Sequence, residues 1–335
     1  MLFINNSDLL PPSWRFIEPR WTDPDGEWAF FVGPPQNALE RAAGRLKLGT
    51  LRAVLQSGIA AARAGRGGAV LVTHLPGMAT KTNLLRRLVA PRVPLVAFAF
   101  NYTDLPTGPR RKAHSLALRG IDEFVVFSEM ERRLYSRHFD LPESRFRMLP
   151  WAMDIPEVGA RSPMSASGPY LSAIGGEGRD YGVLAAAMRR LPKLRLAVVA
   201  RPYSIAGIDF PENVTVFTNL PAPETWRLAA DSLGMAIPLR DGSTPCGHIT
   251  IVGAQLLGIP LAVTRSEGVA DYVDSRTAAL VAPGDEAGLA AALEELAAGG
   301  GPVRERAEAA RSLARDRSDL GGWVRYFEDV KRRLA

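Results

Sequence analysis

The chain has 335 residues, of which 47% are hydrophobic, and this length predicts two domains with cores of ordinary size. No run of about 20 apolar residues occurs, which argues against a membrane-spanning helix. The single cysteine, Cys246, excludes an intramolecular disulfide framework, and the residues after Met1–Ile4 do not follow a signal-peptide pattern, so we expect a cytoplasmic protein.

The net charge of +6 is unevenly distributed. Residues 1–160 contain 21 Lys+Arg against 15 Asp+Glu, whereas residues 161–335 contain 20 of each. Within 41–120 there are 14 basic residues and one acid, Asp104. Three explanations fit this bias: a nucleic-acid partner, an anionic membrane or lipid-phosphate acceptor, or an arginine-rich surface without a function. No helix-turn-helix, zinc or RNA-binding aromatic pattern accompanies the charge, so we expect no nucleic-acid partner.

Segments with strand and helix patterns alternate from about residue 69 onward. The stretches between the apolar runs have helical periodicity, as in Val183–Leu191 and Leu289–Leu296. Strands that alternate with helices predict parallel sheets covered on both faces, which is α/β architecture. The predicted strands are Ala69–Thr73, Pro94–Phe100, Glu123–Phe127, Tyr170–Ile174, Leu194–Ala200, Val214–Phe217, Leu233–Pro238, Pro260–Val263 and Ala279–Val281.

A segment rich in Pro, Gly, Ser and Ala at 156–169 predicts an interdomain linker. We therefore expect an N-terminal domain over 1–155 and a second domain over 170–318. The last segment, 319–335, carries Trp323 and Phe327 at helical spacing and is predicted to pack back on the first domain. Residues 1–35, with three tryptophans among prolines, are not assigned.

Two glycine-rich loops in the second half each follow a predicted strand and precede a predicted helix. In the first, Gly175, Gly176 and Gly178 allow backbone amides to approach a phosphate, and Arg179 supplies a cation. The second runs through Asp241–Gly247 before an apolar helix. Two such loops at the carboxyl ends of parallel strands favour a pyrophosphate ligand. The predicted diphosphate-binding residues are Gly175, Gly176, Arg179, Arg240, Gly247, His248 and Ile249.

These motifs resemble the retaining family 4 glycosyltransferases over roughly residues 120–300. The resemblance rests on their order: Gly175-Gly176 with Arg179-Asp180-Tyr181, Gly247-His248, Gly258-Ile259-Pro260, Asp271-Tyr272-Val273 and the turn Val281–Asp285. It also includes Arg145–Asp154, which is similar to the strand before the family's hinge. The resemblance implies a GT-B architecture, in which two Rossmann-like domains have parallel sheets facing a central cleft.

The same resemblance implies transfer of a hexose from a nucleotide sugar, UDP- or GDP-linked, to a lipid-linked or oligosaccharide acceptor in bacterial polysaccharide or glycolipid synthesis. Beyond this co-substrate we expect no cofactor, and because no Asp-x-Asp pair occurs in the predicted second domain, residues 170–318, we expect no metal requirement. The chain departs from the family's Glu-x7-Glu pattern, because Cys246 or a neighbour and Gly253 stand at the two positions. Donor sugar and base contacts are assigned to Arg201, Cys246 and Gly253. The missing glutamates leave open a degenerate, partner-binding protein, and an epimerase or hydrolase on the same fold is a further alternative.

Retaining transfer needs little acid–base help from the protein, whereas inverting transfer requires a base from the N-terminal half. Three residues near predicted strand ends are candidates for catalysis: His74, Asp104 and Glu129. Asp104 is equally a turn residue and Glu129 a helix-capping one.

Basic and apolar residues share the predicted helices of the N-terminal half. Leu84, Leu85, Leu88 and Val89 accompany the arginines of one helix. This combination predicts peripheral association with the anionic inner face of the plasma membrane. The residues assigned to the acceptor or membrane are Arg86, Arg87, Arg110, Arg111 and Lys112.

Overall fold

A computed structural model describes residues 1–7, 17–31, 49–164, 168–240 and 245–334, without the side chains of 49–52. The chain divides into two compact units, Met1–Leu149 with Leu320–Ala335, and Pro150–Asp319. Trp14, residues 165–167 of the predicted linker and residues 241–244 of the second glycine-rich loop lie outside the described residues.

The described part of the first unit contains a parallel sheet with strand order β2-β1-β3-β4-β5-β6. Its strands are β1 (Leu2–Asn6), β2 (Glu27–Phe31), β3 (Ala69–His74), β4 (Leu95–Phe98), β5 (Glu123–Val126) and β6 (Phe146–Met148). Its helices are α1 (Gly49–Ala64), α2 (Leu75–Val89), α3 (Gly108–Leu118), α4 (Glu129–Phe139) and, from the end of the chain, α10 (Leu320–Leu334).

Helices cover both faces of this sheet. On one face, Ala60 of α1, Ala79 of α2 and Tyr135 of α4 join the core with alternate strand residues. On the other face, the Trp323 ring of α10 lies 5.0 Å from Phe98 and stacks on Phe127 at 5.6 Å. Coverage on both faces explains why the strands are continuous apolar runs rather than alternating ones.

The second unit contains a parallel sheet with strand order β12-β11-β10-β7-β8-β9. Its strands are β7 (Leu171–Ile174), β8 (Leu196–Ala200), β9 (Val214–Thr218), β10 (Met235–Ile237), β11 (Leu261–Thr264) and β12 (Ala279–Val281). Its helices are α5 (Tyr181–Arg189), α6 (Ala222–Ala230), α7 (His248–Leu257), α8 (Glu286–Ala298) and α9 (Gly301–Arg317).

The predicted α/β class is confirmed, and each of the nine predicted strands overlaps an observed one. The segment Arg145–Asp154 contains β6. Strands β1 and β2 were not predicted. Two buried clusters lie in the second unit, one including residues of α6 and α7 and the other residues of α5 and α8, so both faces of its sheet are covered as well.

Candidate functional site

In the second unit, the segments that follow the strands lie along the carboxyl edge of the sheet because the strands are all parallel. The candidate residues are in the segments after β7, β8, β10 and β11. The loop after β7 is fixed to the segment after β10, because Asp180 N donates to Pro238 O at 2.9 Å and Arg240 N donates to Gly178 O at 3.0 Å. The two glycine-rich segments are therefore brought together, at the edge where ligands of open α/β sheets bind.

Arg179 is a buried cation between these two segments, with 4% of its surface exposed. Its Nη2 donates to Thr250 Oγ1 at 2.9 Å, and Nη1 donates to Glu177 O at 3.2 Å. Burial lowers the pKa of the guanidinium, an effect that nearby Cys246 and Tyr181 oppose, but arginine remains protonated in proteins. Among the residues that the structure describes, no carboxylate forms an ion pair with Arg179.

Two glycines allow the guanidinium to occupy this position. A Cβ built on Gly175, whose φ is 129°, would lie 2.6 Å from Nη2 of Arg179. A Cβ on Gly247, whose φ is 102°, would lie 3.6 Å from Nη1. Side chains are strained at such φ values, and at Gly175 a side chain would also displace the cation. Glycine is therefore required at 175 by both conformation and space.

Helix α7 begins immediately after Gly247, so its first amides lie beside the Arg179 cation. The N–H groups of His248, Ile249 and Thr250 precede the first intrahelical bond, which runs from Ile251 N to Gly247 O at 2.9 Å. Unused amides and the positive end of the helix dipole both favour an anion. The buried guanidinium and this helix terminus together make an electropositive site suited to a phosphate.

The side chain of His248 supports the helix rather than the site. Its Nε2 lies 2.6 Å from Gly268 O, and its ring packs on Tyr272 at a centroid distance of 4.7 Å. His248 is buried. Its contribution to an anion site is therefore the backbone N–H, and the side chain attaches the start of α7 to the loop after β11.

Arg240 and Arg201 are exposed at the same edge. Arg240 Nε donates to Arg179 O at 3.1 Å, which places its guanidinium group against the first loop. The side chain of Arg201 passes over Gly176, because a Cβ built on Gly176 would lie 2.8 Å from Arg201 Cγ. Arg201 Nη1 donates to Asn219 Oδ1 at 3.3 Å. Both arginines therefore adjoin the Gly175–Arg179 loop.

The two positions that depart from the family pattern lie in different surroundings. Cys246 is half-buried next to the Arg179 guanidinium. Gly253, in contrast, faces the indole of Trp226 on α6, and a Cβ built there would lie 2.7 Å from Cζ2 of Trp226. An aromatic ring therefore fills the space beside Gly253, and the assignment of Gly253 to the donor sugar or base stays a prediction.

In the first unit, His74 ends β3 and is buried, with 3% exposure. Its Nε2 lies 2.5 Å from Asn5 Oδ1 at the end of the neighbouring strand β1. Burial lowers the pKa of His74 from 6.5 to about 3, so the imidazole is neutral at physiological pH. An amide oxygen does not stabilise an imidazolium as a carboxylate does, so the geometry opposes a role for His74 as a general base.

This shift predicts a pH dependence of stability. The unfolded chain binds a proton at His74 as the pH falls below 6.5, whereas the folded protein does so only near 3. The free energy of unfolding should therefore fall by about 1.4 kcal/mol per pH unit through this window, and the loss should be absent above it. Urea unfolding of wild type and His74→Gln at about pH 7.5 and 4.5 measures the difference. An equal loss in both proteins would contradict the prediction.

Asp104 and Glu129 lie along the same carboxyl edge as His74, after β4 and at the start of α4 respectively. Asp104 is exposed. Glu129 Oε2 forms an ion pair with Arg132 Nε at 2.8 Å, one turn along α4. Glu129 is thus an acid in the first turn of α4, where it interacts favourably with the helix dipole, while the cap itself is Ser128.

The sequence reasoning missed the buried carboxylate at this edge, Glu131. It accepts hydrogen bonds from Phe127 N at 3.1 Å, Ser128 Oγ at 2.9 Å and Asn101 Nδ2 at 2.8 Å. Ser128 Oγ in turn accepts from Glu131 N at 3.2 Å. The Ser-x-x-Glu spacing of a capping box was the available signal; the contact with Asn101 was not foreseeable from spacing.

Two residues with left-handed backbone follow β3 and β4 directly. They are Leu75, with φ 66°, and Ala99, with φ 51°. Such conformations cost non-glycine residues about 1–3 kcal/mol and cluster at functional sites. Their position next to His74 and Phe98 marks the carboxyl edge of the first sheet as a second candidate site.

The basic residues assigned to one acceptor or membrane surface are in fact separated. Arg86 is buried and donates to Gly120 O at 2.6 Å and to Asn83 Oδ1 at 2.9 Å, so it is a structural residue and not a surface cation. Arg87 is exposed at the end of α2, and Arg110 and Lys112 are exposed at the start of α3. The C-terminal end of α2 and the N-terminal end of α3 lie at opposite edges of the sheet, which are separated by about 20 Å, the length of a helix such as α2. Arg111 is half-buried and pairs with Asp140 at 3.1 Å.

Two general features complete the description. Among the described residues, no group of three or more His, Cys, Asp and Glu side chains is arranged to hold a metal ion. No helix in the same part of the chain is long and apolar enough to cross a membrane.

Neither a protein-family model nor a curated protein matches the sequence. Solved structures do match. Sucrose-phosphate synthase from Thermosynechococcus elongatus has a TM-score of 0.73 at 14% identity, covering 99% of this chain and 98% of that chain. Anabaena HepE in complex with UDP-glucose has a TM-score of 0.73 at 13% identity, covering 98% and 99%. The lipopolysaccharide outer core galactosyltransferase WaaB has a TM-score of 0.66 at 11% identity, covering 98% of each chain.

The chain has the GT-B fold. The GT-B architecture predicted from the order of the motifs is thereby confirmed. At these identities the likeness shows the fold alone. Within the GT-B framework the residue that sequence reasoning missed in the second unit is Thr250, the hydroxyl partner of Arg179. Its signal was a polar residue three positions after Gly247 in a mostly apolar helix.

Proposed function

We propose that this protein is a glycosyltransferase that takes a sugar from a nucleotide-diphosphate sugar bound by the second unit. The observation that carries the proposal is the buried guanidinium of Arg179 beside the first turn of α7. A buried cation is costly without an anionic partner, and its hydrogen bonds in the described residues go to neutral oxygens. A diphosphate supplies the missing charge.

The same arrangement supports departure of the leaving group. In transfer, the bond from the anomeric carbon to the phosphate oxygen breaks, and the acceptor oxygen forms the new bond. The negative charge that develops on the nucleoside diphosphate is stabilised by Arg179 and by the amides of His248 and Ile249. In a retaining reaction the departing phosphate takes the proton of the acceptor hydroxyl. Burial lowers the pKa of His74 to about 3, which makes its imidazole a weak base and favours this route.

The finer parts of the proposal concern the two substrates. The donor is a hexose linked to UDP or GDP, with UDP the first candidate because Anabaena HepE was solved with UDP-glucose. Residues 170–318 form the donor domain, and the acceptor, lipid-linked or oligosaccharide, binds the domain of residues 1–155. We further propose that the reaction needs no metal ion, that it serves bacterial surface polysaccharide or glycolipid synthesis, and that the protein acts at the inner face of the plasma membrane.

A panel of UDP, GDP, ADP, CMP and their sugars tests the donor by thermal shift. A ligand that binds only the folded protein raises the free energy of unfolding by about 2.7 kcal/mol at a hundredfold excess over its Kd. Stabilisation by a single base family, unchanged when EDTA is added, is the expected result. A flat response across the panel would contradict the proposal, and a strict Mg²⁺ requirement would contradict metal independence.

A second candidate, a partner-binding protein without transfer activity, is favoured by one observation. The position of the family's ribose-holding glutamate is Gly253, and the Trp226 ring fills the space beside it. An assay of donor hydrolysis distinguishes the glycosyltransferase from the partner-binding protein. Slow release of free sugar from a nucleotide sugar that stabilises the protein supports the transferase, whereas binding without any turnover, with or without acceptor, supports the second candidate.

A further inference from the structure

The first half of helix α2 buries Pro76, Met78 and Ala79, but its second half presents Leu84 and Leu88 to solvent and polar residues to the core. Thr82, Asn83 and Arg86 are buried. Leu84 is 48% exposed, Leu88 80% and Val89 54%. This reverses the usual orientation of a surface helix, in which the apolar stripe faces the interior. The inward residues hold the helix by hydrogen bonds, since Asn83 Nδ2 donates to Ala117 O at 2.8 Å.

The neighbouring helices extend this apolar face. On α1, Leu55 is 56% exposed and Ile59, one turn further, 59%. Gly58 and Leu85 bring α1 and α2 together, because a Cβ on Gly58 would lie 3.7 Å from Leu85 Cδ1. On α3, Leu116 is 57% exposed. Exposed apolar side chains thus recur on three adjacent helices, which goes beyond the single scattered residues that soluble proteins commonly show.

The charged residues of the three helices have one sign. The sequence from 49 to 103 contains seven lysines and arginines and no aspartate or glutamate. Arg66, at the end of α1, and Arg87, on α2, are exposed. Lys112 is exposed on α3, four residues before Leu116. Asp104 and Asp122 lie in neighbouring loops, but α1, α2 and α3 themselves contain cations and no acid. An apolar face on such helices matches the chemistry of an anionic bilayer, where the acyl boundary takes the leucines and the headgroups take the arginines.

We propose that the outer face of α1, α2 and α3 is the surface by which the protein docks on an anionic lipid bilayer. Leu55, Ile59, Leu84 and Leu88 enter the interface, and Arg66 and Arg87 contact lipid phosphates. The biological role of this surface rests on the proposed function, because a transferase docked on the bilayer would meet a lipid-linked acceptor there. The proposed surface keeps the leucines that the sequence pattern assigns to a membrane-facing helix and excludes Arg86, which is buried.

Vesicle flotation with the full chain tests the surface. Wild type should float with phosphatidylcholine vesicles containing ~30 mol% phosphatidylglycerol and remain at the bottom with pure phosphatidylcholine. Ile59→Gln/Leu88→Gln should lower the vesicle-bound fraction about tenfold. Arg66→Gln/Arg87→Gln should lower it by a similar factor at ~0.1 M salt. Ile155→Gln/Leu233→Gln, an exposed apolar pair in the second unit, is the matched control and should float like wild type.

The outcomes separate this inference from the proposed function. Each variant is also assayed for thermal stabilisation by UDP or GDP, which reports folding and the donor site independently of lipid. Donor binding with no flotation of wild type would overturn the docking surface alone, and flotation without donor binding would overturn the transferase alone. Equal flotation of wild type and Ile59→Gln/Leu88→Gln would also overturn the surface. A third result would overturn it as well: wild type does not float but dimerises with increasing concentration, and Ile59→Gln/Leu88→Gln abolishes the dimer. The surface would then bind a second copy of the chain and not a bilayer.

Discussion

Replacing Arg179 by methionine should abolish stabilisation by nucleotides and lower kcat/KM about 100- to 1,000-fold, a loss of roughly 3–4 kcal/mol in the transition state. Methionine fills part of the same volume but removes the cation that lies between Gly175 and Gly247. Arg179→Lys should lose less, because the charge remains while the planar fork is lost. Thermal shift with nucleotide and initial-rate kinetics measure both effects.

The matched control is Arg189→Met in the same unit. Arg189 is exposed on α5 and pairs with Asp209, also exposed, at 3.2 Å. Such surface pairs contribute about 0–1 kcal/mol, so this variant should bind nucleotide like wild type. Undiminished nucleotide stabilisation of Arg179→Met would show that the buried cation serves the fold and not a ligand.

Gly253→Ala should destabilise the protein by about 1–3 kcal/mol, although alanine is the better helix former by about 1 kcal/mol. The reason is the Trp226 ring, which lies 2.7 Å at Cζ2 and 3.1 Å at Cζ3 from the position of the new Cβ. Gly253→Glu, which restores the family residue, should cost more still. Urea unfolding at constant pH measures the change.

Two further variants isolate the cause. Gly58→Ala, inside α1, adds a Cβ at an ordinary 3.7 Å from its nearest neighbour and should stabilise the protein by about 0.5–1 kcal/mol. In a Trp226→Ala background, Gly253→Ala should no longer be destabilising, which gives a coupling energy in a double-mutant cycle. Additive effects at 226 and 253 would refute the steric explanation.

The sequence pattern was sufficient for the strands of the second unit because each is a short apolar run between turn residues. It was insufficient for β1 and β2. Strand β1 ends in Asn5 and Asn6, whose buried side chains meet Ser57, His74 and Thr82 far along the chain. Trp28 of β2 packs 5.0 Å from Phe327. Such strands are fixed by partners distant in sequence, and local periodicity contains no information about them.

The residues proposed for function also include some that the sequence could predict and some that it could not. Gly175, Arg179 and Gly247 were predictable because glycine-rich turns before helices have a direct physical meaning. Arg86 was not, since its helix has both an apolar and a polar stripe and periodicity alone does not say which faces inward. The sequence pattern places Arg86 on a membrane surface together with the leucines, whereas hydrogen bonds of Asn83 to Ala117 O of α3 and of Arg86 to the loops before β4 and β5 turn the polar stripe inward.

The position of α10 has a consequence for synthesis of the chain. This helix covers Phe98 and Phe127 in the first unit, yet it is translated only after the whole second unit. The second unit, Pro150–Asp319, is complete before α10 exists. At a translation rate of about 5–20 residues per second, one aromatic face of the first sheet stays uncovered for roughly 10–40 s until α10 is synthesised. The second unit should therefore fold first, and a nascent chain arrested before Leu320 should bind chaperones through that uncovered face.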